Sequence, residues 1–139
     1  QTALGQLRSS LEEVRGSLVG LRSGLQGPLT VAVRELARSF ASRTGIRVDV
    51  VGEASFASEV ESELFRVVQE ALANVERHSG SSSARVTLRS DGLDVEDYGR
   101  GLTGSPGHGL QGMRERCRVI GARLSVRSLK NGVRVSVRL

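Results

Sequence analysis

Seven apolar residues open the chain at alternating spacings of three and four: Leu4, Leu7, Leu11, Val14, Leu18, Leu21 and Leu25. That is an a/d heptad seam, stricter than the stripe of an ordinary amphipathic helix. With Leu4 as an a position, Arg8, Arg15 and Arg22 fall at e, and Ser10, Ser17 and Gly24 at g. A parallel self-pair therefore gains no e–g salt bridges, and the pattern suits one helix of a bundle whose neighbour is a different helix. Gly16 and Gly20 on the outer side each lower its helicity by roughly 1 kcal/mol relative to alanine, so this helix depends on partners.

Gly27-Pro28 ends the seam and lets a second helix begin, with Leu29, Val33, Leu36 and Phe40 as its apolar face and Gly45 as its stop. Residues 46–51 alternate as a strand, with Ile46, Val48 and Val50 on one side, and residues 52–57 read as a loop. Ser58 followed by Glu61 is the signature of a capping box. The helix it opens is expected to run to about His78 and stop at Ser79-Gly80. Val60, Leu64, Val67, Val68, Ala71, Leu72 and Val75 form its core stripe. Along one edge of that stripe lie Glu70, Asn74 and His78, four residues apart and so on one line.

Val86 and Leu88 then alternate with polar residues up to Asp91-Gly92, a hairpin signal, and the returning strand carries Leu93, Val95 and Asp97 on one face. Asp97 thus continues an apolar, inward row at a strand end, where a buried carboxylate requires a specific donor. Residues 99–109 read as a loop and residues 110–120 as a helix ended by Gly121. Leu124–Arg127 and Val133–Leu139 form a hairpin across Asn131-Gly132. This order of helices and mostly antiparallel strands predicts an α+β fold: a two-layer sandwich with helices on one sheet face and a bundle helix in front.

The 139 residues suffice for one domain with an appendage, divided at about residue 26. Twenty basic residues against fifteen acidic give a formal charge of +5, and Lys130 is the only lysine. The arginines alternate through the elements instead of forming a block, and few aromatics stand among them. The charge therefore reads as a solvated surface and not as a nucleic-acid patch. Cys117 is alone, which excludes an intramolecular disulfide and fits a reducing cytoplasm. With only His78 and His108 beside it, a structural zinc site lacks ligands. No apolar run reaches membrane-spanning length, and no signal peptide is visible.

Chemistry concentrates in Asp97-Tyr-Gly-Arg-Gly101 and in Gly107-His-Gly-Leu-Gln-Gly-Met113. Glycines let a backbone approach a ligand, and a helix opening among them offers N–H groups to an anion. Lys130 stands far from any Walker A context, the glycines follow a hairpin unlike those of a dinucleotide-binding turn, and no Gly-x-Ser-x-Gly elbow occurs. Asn74 offers a neutral oxygen to Mg²⁺, Glu70 is spaced to polarise a nucleophile, and Arg77 and His78 are spaced to face phosphates. Asp97 suits an exocyclic amine. Each residue alone has a plainer reading. Asn74 can bond solvent, the glycines can punctuate a loop, His108 can lack a role, and Met113 and Cys117 can be core.

Together, Gln69-Glu-Ala-Leu-Ala-Asn74-Val-Glu-Arg-His78, Asp97-Tyr-Gly-Arg-Gly101 and Gly107-His-Gly-Leu-Gln-Gly-Met-Arg-Glu-Arg116 resemble the N, G1 and G2 boxes of sensor histidine kinases. More narrowly, they resemble the short-lid subfamily that includes nitrate sensors and the lipid-desaturase thermosensor. The resemblance covers residues 25–139 and implies the Bergerat (GHKL) ATP-binding fold. It implies Asn74 as Mg²⁺ ligand, Glu70 as an aid to phosphoryl transfer, and Asp97 on the adenine amine. Arg77, His78, Gly99, Gly101, Gly107, His108, Gly109, Leu110, Gly112 and Met113 would complete the ATP site. It also makes residues 1–26 the second helix of a dimerisation and phosphoacceptor bundle, with residues 27–139 the catalytic domain.

Two departures stand out. The family's acceptor histidine lies on the first bundle helix, and neither His78 nor His108 occupies such a place. Tyr98 stands where a small polar residue is usual. The expectation is thus the ATP- and Mg²⁺-using part of a cytoplasmic or membrane-tethered kinase. Its partners would be a histidine-bearing helix, a second protomer and a response regulator. A stand-alone serine kinase of the anti-sigma type, an ATPase, and a degenerate nucleotide-binding module are the alternatives.

Overall fold

The computed structural model describes residues 25, 27–79, 83–98 and 108–139, without the side chains of residues 78, 79, 108 and 109. The heptad seam before Leu25 and the glycines at 99, 101 and 107 lie outside the described residues. The elements in order are α1 (Leu29–Thr44), β1 (Arg47–Val51), α2 (Ser58–Asn74), a π-helical turn (Val75–Ser79), β2 (Ser83–Arg89), β3 (Gly92–Asp97), α3 (His108–Val119), β4 (Arg123–Leu129) and β5 (Gly132–Arg138).

The strands form one sheet in the order β1-β2-β3-β5-β4. Only β1 and β2 are parallel, because α2 crosses between them; the other neighbours are antiparallel. Strand alternation stacks the inward residues in rows across the sheet. Val50, Val86, Val95, Val135 and Val126 form one row, and Leu88, Leu93, Val137 and Leu124 the next. Leu29, Leu64, Val67, Val68 and Met113 from the helices are fully buried in the same core. Each such side chain contributes roughly 1.5–3 kcal/mol. The expected α+β sandwich is the fold observed.

Local details differ from expectation. Ala57, not Ser58, caps α2, and no side chain bonds its first turn. Glu61 therefore closes no capping box. Its carboxylate instead accepts the N–H of Leu29 at 3.1 Å and that of Phe56 at 2.8 Å. Thr30 and Ala54 exchange two hydrogen bonds of 3.1 Å beside it. The start of α1 and the loop after β1 are thus fastened to α2 through one buried acid.

The two hairpin glycines also sit one place later than a turn residue would. Gly92 and Gly132 are the first residues of β3 and β5, not members of the turns. A Cβ on Gly92 (φ 151°) would strike the Val137 carbonyl, and one on Gly132 would strike that of Asp97. Both positions need glycine because strands approach closely there.

Candidate functional site

Asp97 ends β3 in the inward row that also holds Val48, Ala84 and Val133. Its side chain is 7% exposed. Burial pushes its carboxyl above the ordinary value near 3.8, and the Val133 backbone N–H opposes that shift by donating to it. Its Oδ1 is buried with no hydrogen-bond partner among the described residues. An unmet buried acceptor costs about 1–3 kcal/mol. An acidic oxygen held this way is ready for an N–H donor. Tyr98, one residue on, alternates to the opposite sheet face, where its hydroxyl donates to Glu96 at 3.0 Å. The bulky phenol therefore leaves the Asp97 side of the sheet free.

The second group comes from the end of α2. Glu70 and Asn74 are half-buried, one turn apart. The α-helix ends at Asn74 and widens into the π turn instead of continuing to His78. The expected straight line of Glu70, Asn74 and His78 is broken there, since a π turn rotates later residues off the four-residue repeat. It presents Arg77 to Asn74 instead, whose Oδ1 accepts from the guanidinium at 2.7 Å. That amide oxygen already faces a cation. Among the described residues no cluster of three acidic, histidine or cysteine side chains could hold a metal unaided. A divalent ion at Asn74 would need most of its ligands from a bound phosphate and water, as Mg²⁺ commonly does.

The third group is α3. It begins at His108, two residues earlier than expected, so His108, Gly109 and Leu110 form its first turn. A Cβ on Gly112 would meet nothing within 4 Å among the described residues, so no packing among them requires this helix-weakening residue. Met113 is 0% exposed, and its thioether is part of the core that anchors the helix. Burial raises the Cys117 thiol above its usual range, which keeps it protonated and inert. Arg116 reaches Glu63 on α2 at 3.4 Å, and Arg114 donates to the Leu124 carbonyl at 3.4 Å. These contacts hold α3 against α2 and β4.

The structure thus puts Asp97 beneath the helical layer, on the sheet face that α2 and α3 cover. It assigns no position to Gly99, Gly101 or Gly107, and the side chains of His78 and His108 lie outside the described set. Sequence reasoning missed Val133, whose N–H holds the Asp97 carboxylate, and Gly132, which lets β5 approach the Asp97 backbone carbonyl. The Asn131-Gly132 pair drew attention to the turn and away from the strand contact.

No family model matches the chain. It is 32% identical to the sensor histidine kinase YhcY of Bacillus subtilis, over 100% of this chain and 37% of the relative. The histidine kinase domain of the blue-light activated kinase EL346 from Erythrobacter litoralis superposes with a TM-score of 0.69 at 22% identity, over 81% of this chain and 64% of that one. The ATP binding domain of PrrB from Mycobacterium tuberculosis gives 0.60 at 19%, over 81% and 93%. The chain is a histidine kinase catalytic domain. Its sheet and helices are those of the GHKL ATP-binding fold. The chain spans about a quarter to two fifths of the length of the curated relatives it matches.

Proposed function

We propose that this domain binds ATP·Mg²⁺ and positions its γ-phosphate for attack by a histidine carried on another segment. The observation that carries this reading is the orphaned Oδ1 of Asp97. A carboxylate can only accept, so it selects the amino edge of adenine and rejects a ring edge offering a carbonyl. The Val133 N–H holds that carboxylate, and Gly132 lets β5 approach the Asp97 backbone carbonyl. Gly112, where a Cβ would meet nothing within 4 Å among the described residues, would lie beside the bound nucleotide on α3.

Asn74 Oδ1 would hold Mg²⁺, which neutralises phosphate charge when bound. Arg77, now on that oxygen, is placed to turn to the phosphates. Glu70, one turn back on the same helix, accepts the proton or orients the attacking imidazole. His78, His108 and the glycines at 99, 101, 107 and 109 complete the phosphate side and a short lid, as in the nitrate-sensor and desaturase-thermosensor subfamily. Catalysis on this reading is placement plus charge stabilisation. Residues 1–26 would supply the second bundle helix, with the acceptor histidine, second protomer and response regulator belonging to the larger protein.

The test is transfer. The chain is mixed with γ-labelled ATP and a separately made acceptor helix. Acid-labile label on that helix's histidine is expected, and it should vanish with Glu70→Ala. Nucleotide binding without any transfer would favour a regulatory module.

A further inference from the structure

The sheet face turned away from the helices carries two rows of guanidinium groups. Arg85, Arg134 and Arg127 lie across β2, β5 and β4 in one row, and Arg89, Arg138 and Arg123 in the other. Between the rows stand Val51, Thr87, Asp94, Ser136 and Ser125, while Asp49 and Glu96 share the first row with its arginines. The alternation of arginine along the sequence is thus the repeat of strands, and folding collects it on one surface. Two of the pairs set like charges directly opposite each other, Arg123 against Arg138 and Arg127 against Arg134. Such pairs destabilise a sheet.

The chain's own acids relieve half of this. Asp94, 3% exposed, lies between Arg89 at 2.8 Å and Arg138 at 3.0 Å, and Glu96 takes Arg134 at 2.7 Å. Arg85, Arg123 and Arg127 have no carboxylate within ion-pair distance among the described residues, and all three are exposed. Three uncompensated charges on one face are most of the chain's formal +5.

We propose that this face docks an acidic protein surface. Asp94 and Glu96 show what the grid accepts: carboxylates seated among planar guanidinium forks. A partner's acids at Arg85, Arg123 and Arg127 would complete the alternation. Like charge excludes a second copy as occupant, and Tyr98, at the edge of the grid with its hydroxyl on Glu96, is a single ring and not the run of stacking platforms that bases need. Five strands of five to seven residues cover roughly 500 Å², below the roughly 800 Å² per partner of a standard interface. The complex is therefore transient and salt-sensitive. This inference does not depend on nucleotide binding, because the grid and Asp97 lie on opposite faces.

The experiment measures fluorescence anisotropy of a labelled oligo-glutamate peptide titrated with the whole chain at low and high salt. Arg123→Glu with Arg127→Glu should weaken binding roughly tenfold or more. Arg38→Glu with Arg118→Glu changes net charge equally on the helices and should leave affinity within about threefold. Thermal melting gives a second readout. Arg127→Glu should raise the midpoint, since it replaces a repulsive pair with an attractive one, while binding falls. Arg123→Gln with Arg127→Gln repeats both readouts if charge reversal unfolds the chain. Equal losses in the face and helix variants would overturn the proposal. So would tighter, grid-dependent binding to phosphatidylserine vesicles or duplex DNA than to the peptide.

Discussion

The Arg77 guanidinium donates to Asn74 Oδ1 at 2.7 Å across the start of the π turn. On the proposed reading that oxygen has two rival cations, a side chain in the free domain and a divalent ion once nucleotide is bound. Asn74→Ala removes that seat. ATP affinity measured by calorimetry with Mg²⁺ should fall to the value the wild type shows in chelator, and adding Mg²⁺ to the variant should change nothing. Stability should shift by under about 0.5 kcal/mol, since the lost bond is exposed.

Two glycines should respond in opposite ways to the same added methyl. Gly132→Ala forces a Cβ into the Asp97 carbonyl and should destabilise by about 1–3 kcal/mol while weakening ATP binding. Gly112→Ala enters open space within α3 and should stabilise the free domain by up to about 1 kcal/mol. ATP binding should nonetheless weaken if, as proposed, that space receives the nucleotide. Urea denaturation paired with calorimetry checks both.

Glu61 is a structural keystone, its carboxylate joining the Leu29 and Phe56 N–H groups. Glu61→Ala leaves the Leu29 and Phe56 N–H groups without their acceptor and should cost about 2–4 kcal/mol in urea denaturation. Hydrogen exchange should accelerate at both ends of that clamp, residues 29–30 and 54–56, before it does at Val86 or Val95.

The two buried aspartates of β3 predict opposite pH responses. For Asp94, burial raises the pKa, but hydrogen bonds from Arg138, Ser136 and Arg89 outweigh it and hold the carboxyl below its ordinary 3.8. Its stabilisation is complete above 3.8 and is lost as pH falls through the lowered value. Asp97 is raised by burial, so the folded state favours its proton. The stability it contributes is full below 3.8 and is lost as pH rises through the raised value. Asp94→Asn should cost about 2 kcal/mol at neutral pH and flatten the acid limb of the stability profile. Asp97→Asn should be neutral or stabilising at pH 7. Denaturation midpoints across the acid range separate the two.

The fold was legible where one periodicity ran unopposed. Val86, Leu88, Leu93, Val95 and Val137 declared a sheet with one buried face, and the same alternation carried Asp97 inward. Gly45 marked the end of α1 because a left-handed cap, φ 79°, favours glycine. What stayed hidden depends on contacts between distant segments. Ser58 and Glu61 have capping-box spacing, yet Glu61 serves Leu29, 32 residues away. The π turn after Asn74 leaves no trace in a repeat that still reads as helical through His78. Gly132 matters because β5 presses on Asp97, a pairing that local sequence does not announce. The arginines looked dispersed because strand order, not chain order, brings Arg85 level with Arg134 and Arg127.

The central claim is that Asp97 reads adenine, and calorimetry on Asp97→Asn tests it most directly. The wild-type chain should bind ATP with Mg²⁺ and discriminate against GTP. Asp97→Asn, folded and no less stable at pH 7, should show no measurable heat with ATP. ATP binding of unchanged affinity in that variant would contradict the account.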